Sequence, residues 1–275
     1  MYKLLKELSQ RPEPFSVSTV KDLWTRPHLA KEMLKYHLSQ ETDHSSRKIE
    51  QIERIVHWID EQLGLDGKKV LDHGCGTGLY SRRMAKHGAE VTGVDFSANT
   101  LEYARGRSME NVQYVQADYL EDDLPAGFDI AVLIYCDYCA LAPISRQKLL
   151  DRIHDLLLPG GQLVIDLNGP GAFDAVADHM VIEERLMNGF FAAGDYIGIH
   201  KTDVYEEDWL SLDRFFIVEP QETWQIFNWV QYYTPEDAAA EFAESRFMVN
   251  VMTGGLDGEP LADDSKLLGA ILEKT

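Results

Sequence analysis

The sequence predicts an α/β fold: a doubly wound, mostly parallel sheet with an N-terminal helical cap and an antiparallel strand insertion. Three observations lead there. Residues 67–168 alternate strand and helix patterns in a regular way. A glycine-rich turn, His73-Gly74-Cys75-Gly76-Thr77-Gly78, follows the first strand pattern. From about Val181 the chain changes to long alternations of aromatic and β-branched residues.

Each element follows in order. Residues 69–72 read as a short buried strand running straight into the glycine turn, and residues 79–87 as a helix that Gly88 stops. Residues 90–95 are the next strand, and Ser97 is placed to cap a helix through about Arg105. Residues 112–117 alternate as a third strand and residues 128–134 make a fourth. A helix from about Ser145 to Leu157 ends at the turn Pro159-Gly160-Gly161, and residues 162–167 form the fifth strand. Strand–helix units of this length imply parallel strands with helices on both faces, because the right-handed crossover needs a helix. Near-continuous apolar strands fit burial on both sides. Ligands of such sheets bind at the carboxyl ends of the strands, around the point where strand order reverses. That rule singles out Gly74 to Gly78, Asp95, Asp118, Tyr119, Tyr135 to Tyr138, and Asn168.

Beyond Asn168, residues 172–179 read as a helix and residues 181–233 as several antiparallel strands. Thr234-Pro235-Glu236 opens a helix, with proline in its first turn, and residues 247–252 and 267–272 are two closing strands. Residues 1–64 are mostly helical, with a periodic stretch over 46–63. The organisation expected is a single domain over 1–275: a helical cap or lid (1–64), a core (65–180), a strand insertion over the substrate site (181–233), and a closing helix with the last two strands (234–275).

Of the 275 residues 45% are hydrophobic and 26% charged, an ordinary globular composition. The formal net charge of −20 repels phosphate backbones, so neither a nucleic acid nor an anionic membrane is expected as a partner. The N-terminus lacks the apolar core of a signal peptide, and no apolar run approaches the ~20 residues of a membrane span. A cytoplasmic protein is expected. Cys75, Cys136 and Cys139 are too few, and odd in number, for a secreted disulfide framework. Cys136 and Cys139 have C-x-x-C spacing without a second ligand pair, so they read as small buried fillers and no metal is expected.

A strand that turns through glycines into a helix brings backbone N–H groups and a positive helix end to a ligand. The spacing narrows the choice. A dinucleotide fingerprint needs a third glycine at position 79, which is Leu79; this weakens a nicotinamide-dependent oxidoreductase. The run Val70-Leu71-Asp72-His73-Gly74-Cys75-Gly76-Thr77-Gly78 instead resembles the first motif of the class I S-adenosylmethionine (SAM)-dependent methyltransferases of small-molecule type. The resemblance covers roughly residues 50–170 and the two closing strands.

It implies a Rossmann-like seven-stranded sheet, with SAM lying over the loop of Asp72, Gly74, Cys75, Gly76 and Gly78. Asp95 then matches the acid that accepts from both ribose hydroxyls, and Asp118 the acceptor for the adenine amino group, with Phe96 and Tyr119 against the purine. His73 departs from the small or apolar residue usual at its position. The fourth-strand exit, Tyr135-Cys136-Asp137-Tyr138, falls where the family presents catalytic or substrate-positioning residues. Tyr135 is assigned to the cofactor, Asp137 to orienting the acceptor or acting as base, and Tyr138 to the methyl pocket; a capping role for Asp137 and packing roles for both tyrosines are the plainer alternatives.

In the N-terminal segment, Trp24, His28, His37, Asp43 and Arg47 are lid candidates, with Arg47 placed to pair the methionyl carboxylate of SAM. The insertion carries Tyr196, Trp209, Phe215, Trp224, Trp229 and other aromatics beside Asp203, Glu206, Glu207 and Asp213. They read as a sheet packed on the core, with a cage for a cationic amine, or a homodimer interface at a sheet edge, as other uses. The function expected is methyl transfer from SAM to nitrogen or oxygen of a small-molecule metabolite, leaving S-adenosylhomocysteine (SAH). A catalytically silent SAM/SAH sensor or regulatory subunit is the alternative.

Overall fold

The structure, a computed structural model, describes residues 2–19, 21–41 and 45–275. Four helices come first: α1 (Tyr2–Ser9), α2 (Asp22–Thr25), α3 (Pro27–Leu38) and α4 (Ile49–Leu63). In α4, Ile52, Ile55, Val56 and Ile59 recur at the spacing of one helical face and are buried together. Gly64, at φ 63°, ends that helix where a side chain would be strained.

The core then runs β1 (Lys69–His73), α5 (Leu79–Lys86), β2 (Glu90–Asp95), α6 (Ala98–Arg105), β3 (Val112–Gln116), β4 (Phe128–Leu133), α7 (Pro143–Leu156) and β5 (Leu157–Asn168). A second unit follows: α8 (Pro170–Phe173), β6 (His179–Glu184), the single turn α9 (Leu186–Gly189), β7 (Ile197–Tyr205), β8 (Leu210–Val218) and β9 (Thr223–Gln231). The chain closes with α10 (Pro235–Ala243), β10 (Phe247–Thr253) and β11 (Leu267–Lys274).

The main sheet has the order β10-β11-β5-β4-β1-β2-β3. Strands β1 to β5 are parallel, and β11 lies antiparallel between β5 and β10. Alternation along each strand splits the core into two layers. Val70, Val132 and Val164 pack with α4 and α5 on one face; Leu71, Leu133 and Ile165 pack with α7 and Phe242 of α10 on the other. Ser97 caps α6 by accepting from the Thr100 amide, and Thr234 caps α10 through the Asp237 amide.

The doubly wound sheet, the helical N-terminus and the strand insertion all match the expected fold. One element is shorter than expected. The helix read over 172–179 is the single turn α8, because β6 begins at His179 and its pairing with Thr202 takes up the backbone there.

The second sheet, β6-β7-β8-β9, is antiparallel throughout. Its inner end meets the main sheet where the Tyr233 amide donates to the Asn168 carbonyl (2.9 Å). Its outer face carries the N-terminal segment. Arg214 on β8 is 1% exposed, pairs with Asp203 at 3.0 Å, and donates to the carbonyls of Leu8 (3.0 Å) and Gln10 (2.7 Å). The Trp229 indole donates to the Val17 carbonyl at 2.7 Å. On the other side, Leu29 and Met33 of α3 pack with Phe191, Ile217 and Trp224. The N-terminal segment thus binds both faces of the sheet.

Loss of hydrogen bonds made by a charged donor costs about 1.5–3 kcal/mol, and Arg214→Ala loses those to the Leu8 and Gln10 carbonyls and to Asp203, which keeps Lys201 as a partner. Arg214→Ala is expected to be destabilised by that amount in chemical denaturation, and limited proteolysis should cut first within residues 10–19.

Candidate active site

The site begins with the turn from β1 into α5. Gly74, Gly76 and Gly78 all have positive φ (66°, 52° and 70°). At two of them a side chain is also excluded by close approach: a Cβ on Gly78 would fall 2.1 Å from the Tyr114 hydroxyl, and one on Gly74 2.5 Å from Asp137 Oδ2. Behind the turn, Asp72 is buried and accepts from the Ser81 hydroxyl at 2.5 Å. Burial, with the charge of Asp95 added, outweighs that bond and pushes its carboxyl up to about 7. Asp95, at the end of β2, accepts from the Gly76 amide (2.9 Å) through one oxygen and from the Ser97 amide (2.7 Å) through the other. Burial raises its pKa against these two bonds.

The exit of β4 is a strained turn. Tyr135 and Cys136 both adopt positive φ, 84° and 59°, a conformation that costs of order 1–3 kcal/mol per non-glycine residue. Asp166 of β5 holds it: one carboxylate oxygen accepts from the amides of Tyr135 and Cys136, each at 2.8 Å. The other oxygen pairs with Arg47, which also donates to the Tyr80 hydroxyl at 3.3 Å and lies 5.3 Å from the centre of the Tyr135 ring. The turn then delivers Asp137 over Gly74. Desolvation in this enclosed place, reinforced by Asp95, Asp166 and Asp72, pushes the Asp137 carboxyl up to about 8.

These groups surround a cavity of about 760 Å³ at the carboxyl ends of the strands, where the order reverses between β1 and β4. Of the residues assigned to the cofactor, Asp72, Gly74, Cys75, Asp95 and Phe96 form part of its wall, as do Tyr119, Tyr135 and Arg47. Asp137 is on the wall too. Gly76 and Gly78 shape the turn without reaching the wall. Asp118 sits just off it, pairing with Lys21, whose amine is also 5.8 Å from the Phe96 ring centre. Tyr138 is turned into the core, 1% exposed, with its hydroxyl donating to Glu241 at 2.7 Å. Tyr138 therefore does not line the cavity.

The lid candidates divide as well. His37 reaches over the loop, 3.0 Å from where a Cβ on Gly76 would lie, and packs edge-on against Trp24. Burial lowers its pKa to about 4, so the ring is neutral. His28 instead bonds the Gly189 carbonyl at 2.9 Å, and Asp43 lies outside the described residues. His73 is buried against Tyr119, and burial lowers its pKa to about 4 as well. Among the described residues, the insertion reaches the cavity through Asn228 and Val230 and not through an aromatic cage. Asp203 is taken by Arg214 and Lys201. Among the described residues no group of three or more His, Cys, Asp or Glu is arranged to hold a metal ion. Sequence reasoning passed over Asp166 and Tyr80; the one available signal was an acid inside the apolar run Leu163-Val164-Ile165-Asp166-Leu167.

Fold and site together define a doubly wound α/β protein with an acidic ligand cavity at the switch point of its sheet. Residues 70–161 match the family model described as a methyltransferase domain. A ubiquinone biosynthesis O-methyltransferase of Pseudomonas aeruginosa is 39% identical over 115 residues, 40% of this chain and 48% of that protein. The chain therefore spans about half the length of the curated relatives it matches. A SAM-dependent methyltransferase from Clostridium acetobutylicum superposes with a TM-score of 0.65 at 12% identity, over 86% of this chain and 96% of that one. An amino pentose methyltransferase from Micromonospora echinaspora gives 0.54 at 18%, over 82% and 91%. Residues 70–161 therefore carry a methyltransferase domain, and the whole fold is shared with SAM-dependent methyltransferases of known structure.

A carboxyl whose pKa is raised on folding favours the folded state at low pH, and that contribution is lost as pH rises through the folded value. For Asp137 the window runs from about 4 to about 8. Asp137→Asn is therefore expected to melt close to the parent at pH 4 and increasingly above it towards pH 8, measured by thermal unfolding across that range.

Proposed function

We propose that this protein binds SAM in the β1–β4 cavity and transfers its methyl group to nitrogen or oxygen of a small molecule, releasing SAH. The observation that carries the reading is one cavity wall holding the β1 glycine turn, Asp95 at the end of β2 and Asp137 at the exit of β4. The chain's own groups fit the cofactor. Each oxygen of Asp95 accepts one amide and keeps a lone pair for a ribose hydroxyl. Phe96 and Tyr119 offer apolar surface to the purine. The exposed Lys21–Asp118 pair is of the kind worth ~0–1 kcal/mol, so Asp118 is readily released towards an adenine amine. Arg47 has guanidinium donors beyond those given to Asp166 and Tyr80, available to a carboxylate. The volume falls within the range of ordinary small-molecule sites.

SAM supplies an already activated methyl, so the protein's task is alignment, exclusion of water and removal of one proton from the acceptor. Asp137 is the group placed for that proton. Trp24 and His37 on the N-terminal helices, with Asn228 and Val230 of β9, close the cavity from above. The wall continues past the loop to Asn168 and Leu267, which leaves room for an acceptor and favours an enzyme over a silent sensor. Names of similar proteins point the same way: one acts on an oxygen in ubiquinone biosynthesis, another on an amino pentose. The net charge of −20 disfavours nucleic-acid partners. Among the described residues no helix is long and apolar enough to cross a membrane. A homodimer through β6 is also proposed, since that strand ends its sheet and exposes Met180 and Ile182.

Hydrogen bonds to a charged group are worth about 1.5–3 kcal/mol, or roughly 10- to 100-fold in affinity. Asp95→Ala should weaken SAM binding by at least that factor in titration calorimetry. Unchanged affinity would remove Asp95 from the site and the reading with it.

A further inference from the structure

Around the cavity, the buried acids outnumber the buried cations among the described residues. Asp95 from β2 acts electrostatically on Asp72 of β1, and Asp95, Asp166 from β5 and Asp72 all act on Asp137 at the β4 exit. Tyr119, beyond β3, is kept a neutral phenol by burial and by Asp137, and His37 of α3, over the same loop, is neutral as well. Arg47 is the buried cation in the wall beside them, and its bond goes to Asp166; Lys48, Glu50 and Arg54 line the cavity from exposed positions. Asp166 is held as a carboxylate by Arg47 and by two amides, and Asp95 accepts from two amides. Asp137 is left over Gly74 with three carboxyl neighbours. A group so placed lowers its energy by keeping a proton until a positive charge arrives. At pH 7 the Asp137 carboxyl, pushed up to about 8, holds that proton in the free protein.

Resting on the proposed function, we infer that Asp137 is armed by the cofactor's charge: it releases its proton when a sulfonium occupies the cavity and takes one from the acceptor as that charge disappears. The balance closes. Before transfer, the cavity holds a sulfonium, an Asp137 carboxylate and a neutral acceptor X–H. The methyl–sulfur bond breaks with its electron pair staying on sulfur, a methyl–X bond forms, and the X–H proton passes to Asp137. Afterwards the cavity holds a neutral thioether, a neutral methylated product and a protonated Asp137. Net charge is the same on both sides, so no charge need be created in, or expelled from, an enclosed site. A neutral amine or a hydroxyl satisfies this scheme, since each surrenders one proton. The scheme also separates cofactor from product: SAM must displace the Asp137 proton, whereas SAH must not.

The test is titration calorimetry of the full chain with SAM and with SAH, in phosphate and in Tris, whose ionisation enthalpies differ. At pH 7 about one proton should be released per SAM bound and close to none per SAH, and Asp137→Asn should abolish the difference. Independently of any variant, the ratio of SAM to SAH affinity in the parent protein should fall by about tenfold per pH unit from pH 8 down to pH 6. Equal proton release with both ligands, an unchanged release in Asp137→Asn, or a ratio flat between pH 6 and pH 9 would overturn the arming of Asp137 while leaving SAM binding intact. Absence of binding by either ligand would overturn the proposed function and this inference together.

Discussion

The site depends on one buried carboxylate, Asp166. With one oxygen it holds the two consecutive amides of Tyr135 and Cys136, and with the other it holds Arg47. The first contact fixes a left-handed turn that the local sequence would not adopt unaided, since neither residue is glycine. The second joins the segment preceding α4 to the middle of the sheet. Three further features sit at that junction: Asp137 is delivered over Gly74, the ring of Tyr135 lies near Arg47, and Cys139 accepts the Asn168 amide at 3.3 Å. A buried ion pair is not a gain in stability by itself, because desolvation consumes most of the attraction. Here its use is positional.

The second organising constraint is closeness. Gly74 and Gly78 allow Asp137 and Tyr114 to approach the loop to distances that a methyl group would forbid. The loop is therefore a bed for its own neighbours as well as for a ligand. Carboxyls are concentrated there, and among the described residues the buried cation of the wall, Arg47, is committed to Asp166. This acidity is a local property, separate from the −20 net charge of the whole chain, and it suits the sulfonium of the proposed cofactor. The N-terminal segment is bound to the outer face of the antiparallel sheet by Arg214 and Trp229, and to its inner face by α3. Cap and insertion, far apart in sequence, form one packed unit above the cavity.

Much of this was legible in the chain itself. Periodicity marked α4, the parallel strands and the insertion, because burial on one face or both leaves a repeating trace in residue type. Glycine spacing, the absent glycine at Leu79, and the acids at Asp95 and Asp118 pointed to the β1 turn as the proposed cofactor loop, because those positions are local to strand ends. Tyr138 was not legible: a tyrosine one residue beyond Asp137 reads as a wall residue, and only the 3-10 turn over Asp137–Ala140 rotates it towards Glu241. Arg47 was recognised as a cavity residue, but its bond to Asp166, 119 positions away, carries no local signal. The sequence by itself determined the sheet, its order of elements and the glycine turn beside the cavity, since each depends on contacts between near neighbours. Tertiary structure alone decided which acids face one another without a cation, since that depends on strand ends brought together from across the chain.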